Sequence, residues 1–360
     1  MTAFDDRVLV FEDRDDNYDE IREPLEDALP DELALERFDH SSPIESDEVL
    51  SALEERVKDP EFPLLIILDY DLTVAGNQVR REHVRQLCED HDLPLCIYHR
   101  IDSSLEDRLQ VQEYEEDRIK INPSKGAEEV VSDAANIAKG FNQIRYALAE
   151  ALGDQSRPAI PEILDAPRGV RGKLDQYAWG NPGALMGGGP DMDQDDLIRR
   201  STTHLGYWIH NELLEFPGAL LNPVALAAYL DVDHEAFCED IEYQDPFDDA
   251  LYDGPFSELG RWWWTPKVDE IRALHMTDED QEMPLGQTIF ERLELPEIGP
   301  ALCHDGESEE HGGARYYCII KQKPVCEDHS KNPEGWIPMG ATRSRISRDE
   351  LARLEPWTLS

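Results

Sequence analysis

Short apolar runs alternate with amphipathic segments over about the first 150 residues of the chain. Five apolar or alternating runs predict strands at Arg7–Phe11, Leu33–Phe38, Leu64–Leu68, Leu95–Tyr98 and Arg118–Ile121. The segments between them have helical spacing, which predicts helices over 17–29, 44–57, 77–91, 104–116 and 124–152. Strands that alternate with helices predict an α/β domain with a five-stranded, parallel, doubly wound sheet. In such a sheet, functional side chains gather at the carboxyl ends of the strands.

The pattern changes after residue 152, and we predict four regions. They are the α/β domain (1–152), a linker rich in proline and glycine (153–194), a mainly α-helical domain (195–295) and a loop-rich tail (296–360) with a β-hairpin at Arg315–Lys321. Within the helical region, 220–239 is faintly similar to a helix-turn-helix, but its second helix is acidic and the pattern favours ordinary packing. Trp262–Trp264 is expected to anchor an interdomain core.

The charge of the chain points to its environment rather than to a partner. Acidic residues outnumber basic ones by 79 to 34, the net charge is −45, and the carboxylates are spread along the whole length. Such an acidic coat is typical of a halophilic protein, since the Debye length is only ~3 Å at 1 M salt. No apolar run reaches the ~18 residues of a membrane helix. The amino terminus is acidic and is not a signal peptide, so we expect a cytoplasmic protein without a membrane partner.

Carboxylates follow two of the predicted strands, and their setting is similar to that of a known family. The motifs are VLVFED at 8–13, LLIILDYDL at 64–72 and Asn122-Pro123 at the fifth strand end. Together with the strand order, they resemble the receiver domains of response regulators, over residues 5–150. The resemblance implies that Asp69 is the phospho-acceptor, that Glu12, Asp13 and Asp69 hold Mg²⁺, and that a histidine kinase is the partner.

Two positions depart from the receiver pattern. His99 lies where the family has a small hydroxyl residue, and Asn122 lies where it has a lysine. Lys120 is two residues further back, where we expect it to be buried in the sheet. Two hypotheses therefore stay open. One is a signalling protein of the two-component phosphorelay type, phosphorylated at Asp69 and acting through helix 124–152. The other is a pseudo-receiver adaptor without phosphotransfer, in a nucleic-acid-processing or defence assembly or in a homodimer.

Metal-ligand residue types are concentrated in the tail. Six of them lie within 27 residues: Cys303, His304, His311, Cys318, Cys326 and His329. The two-residue gap of Cys326-Glu-Asp-His329 suits one zinc knuckle, and Cys303 and Cys318 complete a tetrahedral Cys₃His set. Such a closed site would be structural. The alternative is that Cys318 faces the hairpin core and the histidines lie on the surface.

Two further observations concern partners and activity. Arg343, Arg345 and Arg348 form a local basic cluster, which with Lys331 and Trp336 could face an anionic partner or be used in internal ion pairs. Nucleic acid is therefore a weakly supported partner. No Ser/His/Asp or Cys/His nucleophile constellation is evident in the sequence, so we expect no enzyme activity beyond autophosphorylation of the receiver site.

Overall fold

The computed structural model describes residues 5–39, 49–59, 61–69, 72, 79–98, 118–121, 127–153, 159–177, 185–187, 192–275, 285–304, 313–333 and 335–358. The chain forms two compact units. Unit 1 consists of Met1–Ala159, Gly183–Asn211 and Gly254–Leu259, and unit 2 of Ile160–Pro182, Glu212–Asp253 and Gly260–Ser360. The predicted region limits at residues 152, 194 and 295 stay predictions.

The strands of the described residues are β1 (Asp5–Phe11), β2 (Ala34–Arg37), β3 (Pro63–Asp69), β4 (Leu95–Tyr98), β5 (Ile119–Lys120), β6 (Leu220–Leu221), β7 (Trp263–Trp264), β8 (Tyr316–Cys318), β9 (Lys323–Val325), β10 (Ser330–Lys331) and β11 (Ser344–Ser347). The α-helices are α1 (Asp15–Ala28), α2 (Val49–Val57), α3 (Arg81–His91), α4 (Ala127–Gly153), α5 (Ile160–Ile163), α6 (Arg171–Tyr177), α7 (Gln194–Trp208), α8 (Pro223–Leu230), α9 (His234–Glu239), α10 (Thr265–His275), α11 (Leu285–Arg292) and α12 (Arg348–Thr358). A π-helical turn over Ile209–Leu213 follows α7.

Unit 1 is built on a five-stranded parallel sheet in the order β2-β1-β3-β4-β5. This is the order of flavodoxin-like doubly wound folds, and it confirms the predicted α/β class and parallel sheet. The central strand β3 is buried along its whole length, because its sequence PLLIILD is apolar up to the final aspartate. The fold therefore places one acidic residue at the carboxyl end of an otherwise apolar central strand.

The helices of unit 1 pack as the periodicity predicts. α1 packs against α4, and α2 packs against α3. The predicted inner face of α1 is buried through Tyr18, Ile21 and Leu25. The predicted helix 104–116 lies outside the described residues. α7 also packs on α4, and the two approach closely because Gly206 has no side chain: a Cβ there would lie 2.2 Å from the ring of Phe141.

Unit 2 combines short helices with two small sheets. β6 pairs with β7, and the other sheet has the order β10-β11-β8-β9, in which β8 and β9 are antiparallel. The predicted hairpin is therefore present, although it extends to Val325. Trp263 is fully buried in a core formed within unit 2, where we had expected an interdomain core.

The segment with a faint helix-turn-helix pattern packs as a core element of unit 2. Asn222 caps α8 by accepting a hydrogen bond from the backbone N–H of Ala225 at 2.8 Å. Asp231 then ends α8 in the left-handed conformation, with φ of 61°. Every residue of α8 from Ala225 to Leu230 is buried, as the packing interpretation requires.

Among the described residues, no helix is both long enough and apolar enough to span a membrane.

Candidate functional site

Three carboxylates converge at the carboxyl edge of the sheet in unit 1. Glu12 and Asp13 follow β1 directly, and Asp69 is the last residue of β3. The register pairs Phe11 with Leu68, so the ends of β1 and β3 lie side by side. One oxygen atom from each of the three carboxylates lies within 4.8 Å of the other two. Glu12 is fully buried, Asp69 is 5% exposed and Asp13 is partly buried.

The Glu12 carboxylate is held by hydrogen bonds on both oxygens. Oε1 accepts from the backbone N–H of Arg14 at 2.9 Å and from the side-chain amide of Asn17 at 3.4 Å. Oε2 accepts from the hydroxyl of Tyr98 at 2.6 Å. These three donors come from α1, from the loop after β1 and from β4, and together they fix the position of the Glu12 carboxylate.

The loop after β1 is held by Arg37 at the end of β2. Its Nε donates to the backbone carbonyl of Glu12 at 2.9 Å, and its Nη1 donates to Asp15 at 2.7 Å. The guanidinium also lies 4.8 Å from the centre of the Tyr18 ring. Arg37 therefore ties the chain on both sides of Asp13 to β2, which orients the acidic loop toward β3.

Tyr98 is the site residue that sequence reasoning missed. It ends β4, is 1% exposed and is in register with Asp69 on the neighbouring strand. Residues in register on parallel neighbours direct their side chains to the same face of the sheet. Alignment of the ends of the two predicted strands places Tyr98 beside Asp69. The receiver pattern instead assigns the site position to the next residue, His99.

The structure brings together part of the predicted set. Glu12, Asp13 and Asp69 form one group, whereas His99 and Asn122 lie outside the described residues. Lys120 is exposed, so the expectation that it is buried in the sheet is wrong. The reason is that Lys120 belongs to a two-residue strand at the edge of the sheet, which covers it on one side only.

The donor set of this acidic group suits a hard cation. Three carboxylates within 4.8 Å repel one another, and burial strengthens the repulsion because the surrounding dielectric is low. A bound cation relieves this repulsion. Carboxylate oxygens are the ligands that Mg²⁺ prefers, with water completing its octahedron. The group therefore fits the predicted Mg²⁺, and it offers no sulfur or nitrogen ligand for zinc.

A second group lies in unit 2 and contains sulfur and nitrogen donors. Cys303, Cys326 and His329 each place one ligand atom within 4.8 Å of the others. The Nδ1 atom of His329 lies 3.2 Å from the Cys326 sulfur and 3.5 Å from the Cys303 sulfur. The backbone N–H of Cys326 donates to the Cys303 sulfur at 3.2 Å. Both cysteines are buried, so these donors face the protein interior.

Cys318 lies beside this group rather than in it. Its side chain is fully buried in the same small apolar cluster as Cys303 and Cys326, and its sulfur accepts the backbone N–H of Ser347 at 3.4 Å. It is not among the three residues whose ligand atoms converge. Its role as a zinc ligand therefore stays a prediction, and His311 lies outside the described residues.

Comparisons of the chain with protein-family models, with curated proteins and with solved structures give no match. The geometry of the two groups is therefore what supports a function.

Proposed function

We propose that unit 1 is a receiver-type signalling module, in which Glu12, Asp13 and Asp69 hold Mg²⁺ and Asp69 accepts a phosphoryl group. The observation that supports it most directly is the convergence of three carboxylates at the ends of adjacent parallel strands. Asp69 ends a buried strand, so it does not belong to the acidic coat that faces solvent. On this proposal, the phosphoryl donor is a histidine kinase and the chain works in the cytoplasm.

The transfer step follows from the chemistry of a carboxylate. An Asp69 oxygen attacks phosphorus and forms a P–O bond, while the P–N bond to the donor imidazole breaks and its electron pair returns to the leaving nitrogen, which takes up a proton. Bound Mg²⁺ would offset the repulsion between the phosphoryl oxygens and the carboxylates. Glu12 holds its position throughout, because Arg14, Asn17 and Tyr98 donate to it.

The test is incubation with acetyl phosphate and Mg²⁺ in high-salt buffer, followed by intact mass. We expect the parent chain to gain one phosphoryl group and Asp69→Asn to gain none. Asp16→Asn is the matched control, since Asp16 is an exposed aspartate at the start of α1, close to the acidic loop. Transfer to the parent that persists in Asp69→Asn would contradict the assignment of the acceptor.

A second candidate is the pseudo-receiver adaptor, and the Tyr98–Glu12 hydrogen bond favours it. Here a donor from the protein already occupies one oxygen of a carboxylate that would otherwise face the cation. The acidic edge would then be a structural network, and the chain would act by docking to another protein of its assembly. Absence of both phosphoryl gain and Mg²⁺ binding in a folded sample is the outcome that supports this candidate.

We also propose that Cys303, Cys326 and His329 bind Zn²⁺. Thiolate and imidazole donors suit zinc, and the site lies where the segments before β8 and after β9 meet. The test is the metal content of the purified chain by mass spectrometry, together with the metal released by a chelator. One zinc per chain is the expected result. A chain without zinc, or with a Cys303–Cys326 disulfide, would contradict the proposal.

A further inference from the structure

Two arginines from separate segments of unit 2 lie against one tyrosine on a third segment, and a lysine from a fourth segment interacts electrostatically with members of this group. Tyr229 lies on α8, Lys173 on α6, Asp269 and Arg272 on α10, and Arg343 just before β11. These five residues are called the Tyr229 cluster below. The Arg343 guanidinium lies 4.3 Å from the centre of the Tyr229 ring, and that of Arg272 lies 5.1 Å from it.

The only carboxylate of the Tyr229 cluster is shared between two partners. Asp269 accepts a hydrogen bond from the Tyr229 hydroxyl and forms an ion pair with Arg272 at 3.2 Å. Nη1 of Arg272 also donates to the Tyr229 hydroxyl at 2.6 Å. Asp269 is therefore already engaged, and the cluster carries more positive than negative charge.

Two cations of the cluster have no carboxylate of their own in the described part of the chain. Neither Lys173 nor Arg343 has an ion pair there, although acidic residues outnumber basic ones by more than two to one. Arg345 provides the contrast. It also stacks on a tyrosine, Tyr316 at 4.1 Å, and it is paired with Glu327 at 3.1 Å. Two members of the predicted arginine cluster therefore differ, because Arg345 is paired with a carboxylate and Arg343 is not.

A buried donor adds an independent observation. The Nε atom of Arg272 is buried and has no hydrogen-bond acceptor among the described residues. A buried N–H without an acceptor costs about 1–3 kcal/mol, so a water or a bound ion at this position would be stabilising. Burial also lowers the pKa of Lys173, and the nearby charge of Arg343 lowers it further, whereas Asp269 acts in the opposite direction. An added anion would relieve each of these costs.

We propose that the Tyr229 cluster is a binding site for the phosphate group of a small ligand, held by Lys173, Arg272 and Arg343. The planar guanidinium matches two oxygens of a phosphate, and two arginines with one lysine suit a dianion better than a single carboxylate. A small ligand is favoured over nucleic acid, because Arg345, the neighbouring arginine of the predicted basic cluster, is already paired with Glu327 and does not extend the set of unpaired cations. This site is separate in sequence and unit from the acidic group of unit 1.

The test is titration of the full chain with pyrophosphate by isothermal calorimetry, at one KCl concentration at which circular dichroism shows the chain folded. Ionic strength is held constant by replacing KCl as pyrophosphate is added. We expect Arg343→Gln and Lys173→Gln each to weaken binding by about tenfold or more. Arg345→Gln is the matched control, and it is expected to bind like the parent. Arg343→Lys keeps the charge but loses the planar fork, so it is expected to fall between parent and Arg343→Gln.

Three outcomes would overturn the proposal. One is a parent chain that does not bind pyrophosphate. Another is an equal loss of affinity in Arg345→Gln, which would indicate a general effect of charge. The third is binding of a short single-stranded DNA with no binding of pyrophosphate, which would indicate a nucleic-acid surface instead. Arg343→Gln also removes the contact with the Tyr229 ring, which could prevent folding. In that case the proposal is tested with Lys173→Gln.

Discussion

The hydroxyl of Tyr98 donates a hydrogen bond to the carboxylate of Glu12, with 2.6 Å between the two oxygens, although 86 positions separate the residues in sequence. Tyr98 ends β4 and Glu12 follows β1, and the end of β3 with Asp69 lies between these two strands in the sheet. This bond therefore joins the outer members of the acidic edge across its central aspartate. The two functional hypotheses assign different roles to this carboxylate. In the receiver hypothesis Glu12 holds Mg²⁺, and in the adaptor hypothesis it belongs to a structural network with Tyr98.

Tyr98→Phe is expected to lower the free energy of unfolding by about 1–3 kcal/mol in Mg²⁺-free buffer, because the buried side chain of Glu12 loses a hydrogen-bond partner. If the acidic edge binds Mg²⁺, the same variant should bind it more tightly, since Oε2 of Glu12 no longer has a donor. Urea unfolding with and without Mg²⁺ measures both effects. Tyr146→Phe, at an exposed tyrosine of α4, is the control. Equal stability of Tyr98→Phe and the parent would show that the hydrogen bond does not form.

Cys326→Ser and Cys318→Ala are expected to behave differently if zinc is bound by the converging group. Cys326→Ser removes a ligand, so the zinc content should fall to near zero and a chelator should no longer lower the melting temperature. Cys318→Ala removes a buried sulfur from the core at a cost of about 1 kcal/mol, and the zinc should remain. Metal analysis and thermal unfolding check both. Loss of zinc in Cys318→Ala would instead support the four-ligand site predicted from the sequence, with Cys318 as a ligand.

His210 is expected to make the chain less stable in mild acid. Burial lowers the pKa of His210 below its usual value of about 6.5, and the hydrogen bond that its Nδ1 donates to Oδ1 of Asn211 and the charge of Asp133 oppose this shift only in part. The unfolded chain then binds a proton at a higher pH than the folded chain. The contribution of neutral His210 to the free energy of unfolding is therefore fully present above about pH 6.5. It is lost as the pH falls toward the pKa of the folded state, with a slope of at most about 1.4 kcal/mol per pH unit.

The measurement is the free energy of unfolding between about pH 7.5 and 5 for the parent and for His210→Gln. His234 contributes in the same direction, because its pKa is also lowered by burial. The difference between the two proteins isolates the part that belongs to His210. A difference that does not change with pH would show that the imidazole of His210 is not held neutral.

Low salt is expected to destabilise the whole chain. With a net charge of −45, exposed carboxylates repel one another once the Debye length grows from ~3 Å at about 1 M KCl to ~10 Å at about 0.1 M. Thermal unfolding over this range should show a falling melting temperature, and sucrose at matched osmolarity should not restore it. An unchanged melting temperature would contradict the interpretation of the acidic coat as an adaptation to salt.

The parallel sheet of unit 1 is predictable from the local pattern of the chain. Five runs with strand patterns and the amphipathic segments between them specify a parallel sheet, since this periodicity is local and each element carries its own pattern. The same pattern also determines which residues end β1 and β3, because the apolar runs stop at Glu12 and Asp69. The convergence of the three acidic residues was predictable, as parallel strands bring their carboxyl ends to one edge.

The remaining contacts depend on how distant segments pack in the folded chain. Whether Tyr98 reaches Glu12 depends on strand order and register, and both are set by packing between segments far apart in sequence. The same holds for the separation of Cys318 from the Cys303, Cys326 and His329 group, since spacing along the chain does not say which sulfurs face each other. The Tyr229 cluster is likewise not predictable from spacing along the chain. Its members come from four segments of the chain, and only the fold brings their charges together.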